Sequence, residues 1–318
     1  MKVIGKAIGF DAVGEARRAE AQGYDGIRVV DHFFSAIPPA APVAVPPCFV
    51  TLTAAAMATE RVLLTQTMVA ASLHHPYEIA QAVVAVDRLS DGRAELGLGT
   101  GWLQVEHDAM GLSLGTPAQR VARLIETATI CRDLLDNDGQ VDYDGEFFRA
   151  HSTAAWPAPP HRPDILIGAH GPRLLAAAAR IADRIDLLEA LASGHPDFSG
   201  AHANTRGNLA DRVAMAREAA GARSGQLRFS ATVNLQVAPS AAARDDARTT
   251  LAYAAGCGVA ELDEELLRVI ATDDEALAKL AELAALGIDR VHVRPMDPYS
   301  HKWLDEAVTD IQELTCPE

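Results

Sequence analysis

The chain has 318 residues, 49% of them hydrophobic, with 43 acidic against 28 basic side chains and a formal charge of −15. That composition is globular rather than disordered, and the acidic excess argues against non-specific binding to nucleic acid or to anionic membranes. No stretch of about 20 apolar residues is present, so no membrane span is expected.

Charge breaks the opening MKVIGKAIGFDAVGEARR too early for a secretory signal. Cys48, Cys131, Cys257 and Cys316 form neither a CxxC nor a disulfide-like spacing. The expectation is a reduced, cytoplasmic protein. In chain order, Val3–Ile8 reads as a strand and Ala12–Ala21 as a helix stopped by Gly23. Gly26–Val30 is a strand ending at Asp31-His32. Residues 35–47 are too Pro-rich for regular structure. Thr51–Thr59 reads as helix, Val62–Ala70 as strand, 76–90 as helix. The strand 94–98 opens into Gly99-Thr100-Gly101-Trp102. Thr116-Pro117 starts a helix that runs to about Leu135, with proline suited to its first turn. Val141–Phe148 is a small hairpin or extended excursion.

The second half keeps the rhythm. Strands are expected at Ile165–Gly168, Ile185–Glu189, Arg228–Val237 and Arg290–Val293. Helices are expected at Pro172–Ala182, 206–219, Ala241–Tyr253 and Asp273–Leu286, the last ended by Gly287, and the tail 301–314 is amphipathic. Alternating strands and helices imply a parallel sheet clothed in helices. Close to eight such units fit an α/β (β/α)8 TIM barrel with insertions, one domain over 1–318, whose site lies at the C-terminal ends of the strands. The rival, a doubly wound open sheet, needs a phosphate fingerprint after its first strand. Gly5–Gly9 supplies no GxGxxG, and no Walker A pattern occurs.

The strand ends therefore carry the candidate chemistry. Gly168-Ala169-His170-Gly171-Pro172-Arg173 has permissive glycines, a proline that wastes no amide at a helix start, and an adjacent cation. Free backbone N–H groups at such a turn suit a phosphate; the other reading is an ordinary tight strand–helix turn. Asp31-His32 offers a base with a carboxylate, although neighbours in a strand point to opposite faces. His74-His75 diverge on an extended segment and match no metal motif, so they read as polar pocket lining and no metal site is expected. Trp102 is a pocket wall or core, and Glu106 and His107 belong to the loop or short helix beyond it. No base arrangement accompanies any cysteine, which argues against a thiol nucleophile.

Taken together, EARRAEAQGYDGIRVVDH (15–32), ERVLLTQTMVAASLHHPYEIAQAVVAVDRLSDGRAELGLGTGW (60–102), VDYDGEFF (141–148), IGAHGPRLLAAAARIADRID (167–186) and DDEALAKLAELAALGIDRVHV (273–293) resemble the bacterial luciferase-like flavin and deazaflavin oxidoreductases. The fifth-strand turn and the GxGxGW form look most like the branch that uses coenzyme F420, a 5-deazaflavin. The resemblance implies a barrel with a flavin-like ring in its mouth, set against Thr100 and Gly101. It implies a non-prolyl cis peptide at the end of the third strand, matched to Ala71–Ser72, and a phosphate held at Gly168, Ala169, His170, Gly171, Pro172 and Arg173. His32 and Asp31 match positions facing cofactor and substrate, His32 to exchange a proton and Asp31 to orient it or bond the ring. Related sugar-phosphate dehydrogenases carry a glutamate directly after the fourth-strand glycine, where this chain has Trp102, so their acid and their substrate do not transfer. The implied activity is hydride transfer between F420 and a small organic substrate. The alternatives are a monooxygenase using reduced FMN from a separate flavin reductase, and a barrel that binds cofactor without turnover. A homodimer through helices near the second and third strands is implied as well. The loops expected to select substrate are 33–50 and 191–206, the second carrying His195, His202, Asn204 and Arg206.

Overall fold

The computed structural model describes residues 1–7, 9–35, 42–157, 159, 161–189 and 204–316. Eight parallel strands follow one another around a barrel: Lys2–Ala7, Gly26–Val29, Leu63–Gln66 resumed at Val69–Ala70, Glu95–Gly99, Asp164–Ala169, Arg184–Leu187, Arg228–Val237 and Arg290–Pro295. The first strand pairs with both the second and the eighth. The third meets the fourth through Leu64–Ala94 below and Val69–Leu98 above, which closes the ring. All eight strands expected from periodicity are present.

The helices follow their capping chemistry. Pro117–Asp136 starts behind a Thr116/Gln119 capping box with proline in its first turn. Asp297 caps Pro298–Gln312 by accepting from the Ser300 amide. Three pieces differ from expectation. The Pro/Ala segment is not wholly irregular: Phe34–Ser35 and Val43–Ala44 pair antiparallel at its two ends. A four-residue strand, Arg268–Ala271, pairs with the upper half of the seventh strand. A short helix, Val259–Asp263, lies in a stretch given no element, whereas Gln104–Ala109 is the short helix, one of the two readings for the residues beyond Trp102.

Apolar residues on the outer strand faces pack against the helices, as Ile165, Ile167, Val291 and Val293 do. The barrel interior is charged instead. Arg290 Nη1 lies 2.7 Å from both Glu95 oxygens and Thr65 donates to Glu95 at 2.9 Å. Burial alone would raise the Glu95 carboxyl, but Arg290 and Arg184 outweigh it and hold the group below its usual range. One rung higher, Asp186 accepts from Ser230 and Thr232, each at 2.6 Å. Burial still pushes its pKa up to about 6. His292, fully buried, is driven well below its ordinary range by burial and by Arg290, Arg28 and Arg184, and stays neutral. These ties fix the rungs that carry the mouth above them.

Candidate functional site

On the side of strands two to four, the end of the second strand splits its two polar residues between faces. Asp31 turns into the wall: its carboxylate accepts from the Ala70 amide at 2.9 Å and lies 3.0 Å from His74 Nε2. Burial would raise the Asp31 carboxyl, but His74, the Ala70 amide and the Cys48 thiol together hold it below the usual range. His74 is raised in return: Asp31 outweighs the desolvation that would lower it.

His32 points the other way and finds a different acid. Its Nδ1 lies 2.9 Å from Glu106 Oε2, while the other Glu106 oxygen accepts from the Phe33 amide. Glu106 is buried and His32 partly open. Asp31 therefore orients His74, not His32. A carboxylate bonded at Nδ1 fixes the proton there in the neutral ring and leaves Nε2 as the acceptor. Trp102 meets the His32 ring edge-on, with centroids 5.8 Å apart. Beside this pair, His107 Nδ1 donates to the Leu103 carbonyl at 2.9 Å, so its Nε2 accepts from Ser72 Oγ, also at 2.9 Å.

The third strand breaks at Thr67–Met68, where the non-prolyl cis peptide lies, rather than at Ala71–Ser72. The break sits where Gly99 and Gly168 leave room: a Cβ on Gly99 would come within 2.8 Å of Met68 Cβ, and one on Gly168 within 3.2 Å of Met68 Cε. Ala71 comes after the strand, buried in the apolar core with its amide bonded to the Gly99 carbonyl at 2.9 Å. It offers the mouth neither side chain nor amide. Thr100 and Gly101 line the fourth strand's end. Gly101 has φ +74°, and a Cβ there would overlap Ser72 Oγ, so close approach and backbone angle both require glycine.

The neighbouring wall, beside the fourth strand, is the fifth-strand turn. Gly168 and Ala169 end the strand, and the Ala169 side chain lies in the apolar core. His170 Nδ1 donates to the Leu188 carbonyl at 3.2 Å; burial, then Arg212, lowers its pKa. The neutral ring thus keeps Nε2 as an acceptor. Gly171 is the N-cap of Pro172–Ile181, with no side-chain cap, and a Cβ on it would meet nothing within 4 Å. Arg173 is exposed in the first turn. An uncapped helix start with open space before it and a cation beside it fits a phosphate. Arg212 braces the turn from the helix Arg206–Ala220, donating to the Ala169 and Leu188 carbonyls at 2.9 and 3.0 Å.

The geometry brings His32, Ser72, Thr100 and Gly101 together on one side and His170, Gly171, Pro172 and Arg173 on the other, and withdraws Asp31, Ala71 and Ala169 into the walls. Sequence reasoning missed the Glu106 carboxylate and the Arg212 brace. No local signal marked Glu106, whose helix Gln104–Ala109 meets His32 only through the tertiary fold. His195 and His202 lie outside the described residues.

Residues 10–292 match the family described as luciferase-like monooxygenase. The F420-dependent glucose-6-phosphate dehydrogenase of Kineococcus radiotolerans is 32% identical over 171 residues, 53% of this chain and 49% of that protein. The chain spans about half the length of the curated relatives it matches. Among solved structures, an F420-dependent secondary alcohol dehydrogenase in complex with an F420-acetone adduct superposes with a TM-score of 0.79 at 18% identity, covering 98% of this chain and 100% of that one. The coenzyme F420 dependent tetrahydromethanopterin reductase from Methanopyrus kandleri gives 0.72 at 17% identity, over 99% and 97%. These likenesses agree with the closed barrel. With 10–292 matched, this chain belongs to the luciferase-like monooxygenase family.

Proposed function

We propose that the protein is an oxidoreductase that moves a hydride between coenzyme F420 and a small organic substrate. The observation that carries this reading is the His32–Glu106 pair at the end of the second strand, with an uncapped, glycine-opened helix start at the end of the fifth. The curated relatives that name F420 support the choice of cofactor. When bound, F420 supplies the two-electron chemistry, and the protein supplies binding, orientation and proton handling. Gly171, the free amides after Pro172 and Arg173 hold its phosphate. Thr100 and Gly101 give the ring a flat backbone surface, and Met68 lies between the glycines of strands four and five. His32 Nε2 takes the proton from a substrate hydroxyl, or returns it to a carbonyl oxygen. Glu106 holds the ring by Nδ1 and stabilises the imidazolium once it forms.

Two further parts of the reading concern the whole protein. It works as a homodimer, supported by the uncharged outer face of the helix Cys48–Ala58. It works in a reducing compartment, the cytoplasm, where its unpaired cysteines stay reduced.

Titration of the purified protein with oxidised F420 and, separately, with FMN tests the reading. The expected result is micromolar binding of F420 with FMN at least about tenfold weaker. Binding of FMN alone overturns it in favour of a monooxygenase fed by a flavin reductase. F420 binding without redox change over a broad panel of alcohols and aldehydes leaves a non-catalytic barrel.

A further inference from the structure

The eighth strand places a basic group at each inward rung. Arg290 meets Glu95, and His292 lies fully buried 3.7 Å from Asp186, while Val291 and Val293 face the outer core. The two-residue period sets Arg294 on the same inner face, one rung nearer the mouth. Register makes its neighbour Asn234, and Asn234 pairs on its other side with Arg268. The rung thus reads Arg268–Asn234–Arg294, with adjacent strands about 4.8 Å apart.

The carboxylate nearby is already taken. Glu189 receives Arg268 Nε and Nη2, each at 2.7 Å, and Asn234 Nδ2 at 3.0 Å. Among the described residues, the Arg294 guanidinium has neither a hydrogen bond nor an ion pair. Arg294 is exposed, yet burial lowers its pKa, with Glu189 opposing and Arg268 reinforcing the shift. The two-residue alternation, with Arg290 and His292 buried below it and Arg294 exposed, sets this guanidinium at the open end of the barrel interior. Arg28 lies close enough that Arg294, after burial, is the next cause depressing its pKa, so the charge is repelled from below rather than neutralised. A guanidinium held there without a counter-ion is arranged for an incoming oxyanion, which its planar fork grips at two points.

We propose that Arg294, flanked by Asn234, is an oxyanion subsite that holds a carboxylate or phosphate group of the substrate in the barrel mouth. The proposal rests on reading that mouth as the oxidoreductase site. It makes the substrate an acidic molecule and sets its anionic end at the eighth strand, two strands around the barrel from the strand that ends at His32.

Benzoate and its neutral counterpart benzamide serve as probes, followed by ligand-observed NMR on F420-loaded wild type, Arg294→Gln and Arg294→Lys. Wild type is expected to bind benzoate at least about tenfold more tightly than benzamide. Arg294→Gln erases that preference while its F420 affinity stays within about twofold. Arg294→Lys, a charge without a fork, keeps part of it. The subsite is overturned if wild type shows no preference, or if Arg294→Gln retains it. A loss of F420 affinity of about tenfold in Arg294→Gln overturns the substrate assignment, since the arginine then grips the cofactor's own anionic groups. Failure of wild type to bind F420 is a failure of the proposed function, and the same benzoate comparison on cofactor-free protein then decides the subsite alone.

Discussion

His32 and His74 sit close to one another in the fold, yet their carboxylate partners give them opposite tasks. Glu106 fixes the proton on His32 Nδ1 and leaves Nε2 without a partner among the described residues. Replacing His32 with Asn is therefore expected to lower kcat by about 10²–10⁴-fold, the usual range for a lost general acid–base. F420 affinity should hardly change, because the proposed phosphate contacts belong to the fifth-strand turn and not to the second strand. Glu106→Gln keeps the shape but loses the charge that stabilises the imidazolium, and should lower kcat in the same direction. Unchanged turnover in His32→Asn removes the residue from the mechanism. His74 answers a different measurement. Its pKa is raised by Asp31, so its stabilisation is complete below about 6.5, its unfolded value, and is lost as pH rises through the higher folded value. Asp31 is lowered, so its share is present above about 3.8 and is lost as pH falls through the lower folded value. The pair therefore contributes most between roughly pH 4 and 6.5. His74→Gln should cost about 1 kcal/mol at pH 5.5 and distinctly less at pH 9, read from thermal melts of both proteins at the two values. An equal cost at both would mean that packing, not the ion pair, holds His74.

The turn after the fifth strand gives a prediction with two signs. Gly171 is an N-cap with φ −77° in extended backbone, and a Cβ there would have nothing within 4 Å, so a larger residue fits without strain. Gly171→Asp adds a capping carboxylate at the positive end of a helix, which should leave the melting temperature unchanged or raise it, by at most about 1 kcal/mol of stability. The same charge occupies the space assigned to a phosphate and should weaken F420 binding by about tenfold or more. Intact affinity with raised stability would move the phosphate elsewhere. This turn was readable from sequence because its logic is local: glycines, a helix-starting proline and an arginine within six residues. The strands were readable too, since each is an apolar run between turn signals. The short strand Arg268–Ala271 was not, because LLRVIA is as apolar as a buried helix segment and its pairing is with the distant upper half of the seventh strand. The partners of Asp31 and His32 were hidden for the same reason. Glu106 is 74 residues from His32, and nothing local says that Gln104–Ala109 folds back over the mouth.

At the scale of the whole molecule, the helix Cys48–Ala58 is out of keeping with the rest of the surface. The chain carries a net charge of −15, yet CFVTLTAAAMA has no charged residue on any face. Its inner side is spent on Cys48, Thr51, Leu52, Ala55 and Ala56, all buried. Its outer side leaves Val50 67% and Met57 68% exposed, seven residues apart and so on one stripe. A helix apolar all round belongs in an interior, and a second copy supplies one without needing any complementary charge. In a two-fold arrangement the stripe meets itself, so each substitution is felt twice across the interface. The native protein should run at twice its 33.7 kDa chain mass in light scattering at micromolar concentration. Val50→Glu with Met57→Glu sets like charges face to face and should give monomers that still bind F420, because neither residue lies at the mouth. Two protomers of like net charge also repel at long range, so raising salt from about 0.01 to 0.15 M, which shortens the screening length from about 30 to 8 Å, should tighten the native dimer. A wild-type monomer at both ionic strengths would show that the uncharged stripe faces water in the working protein.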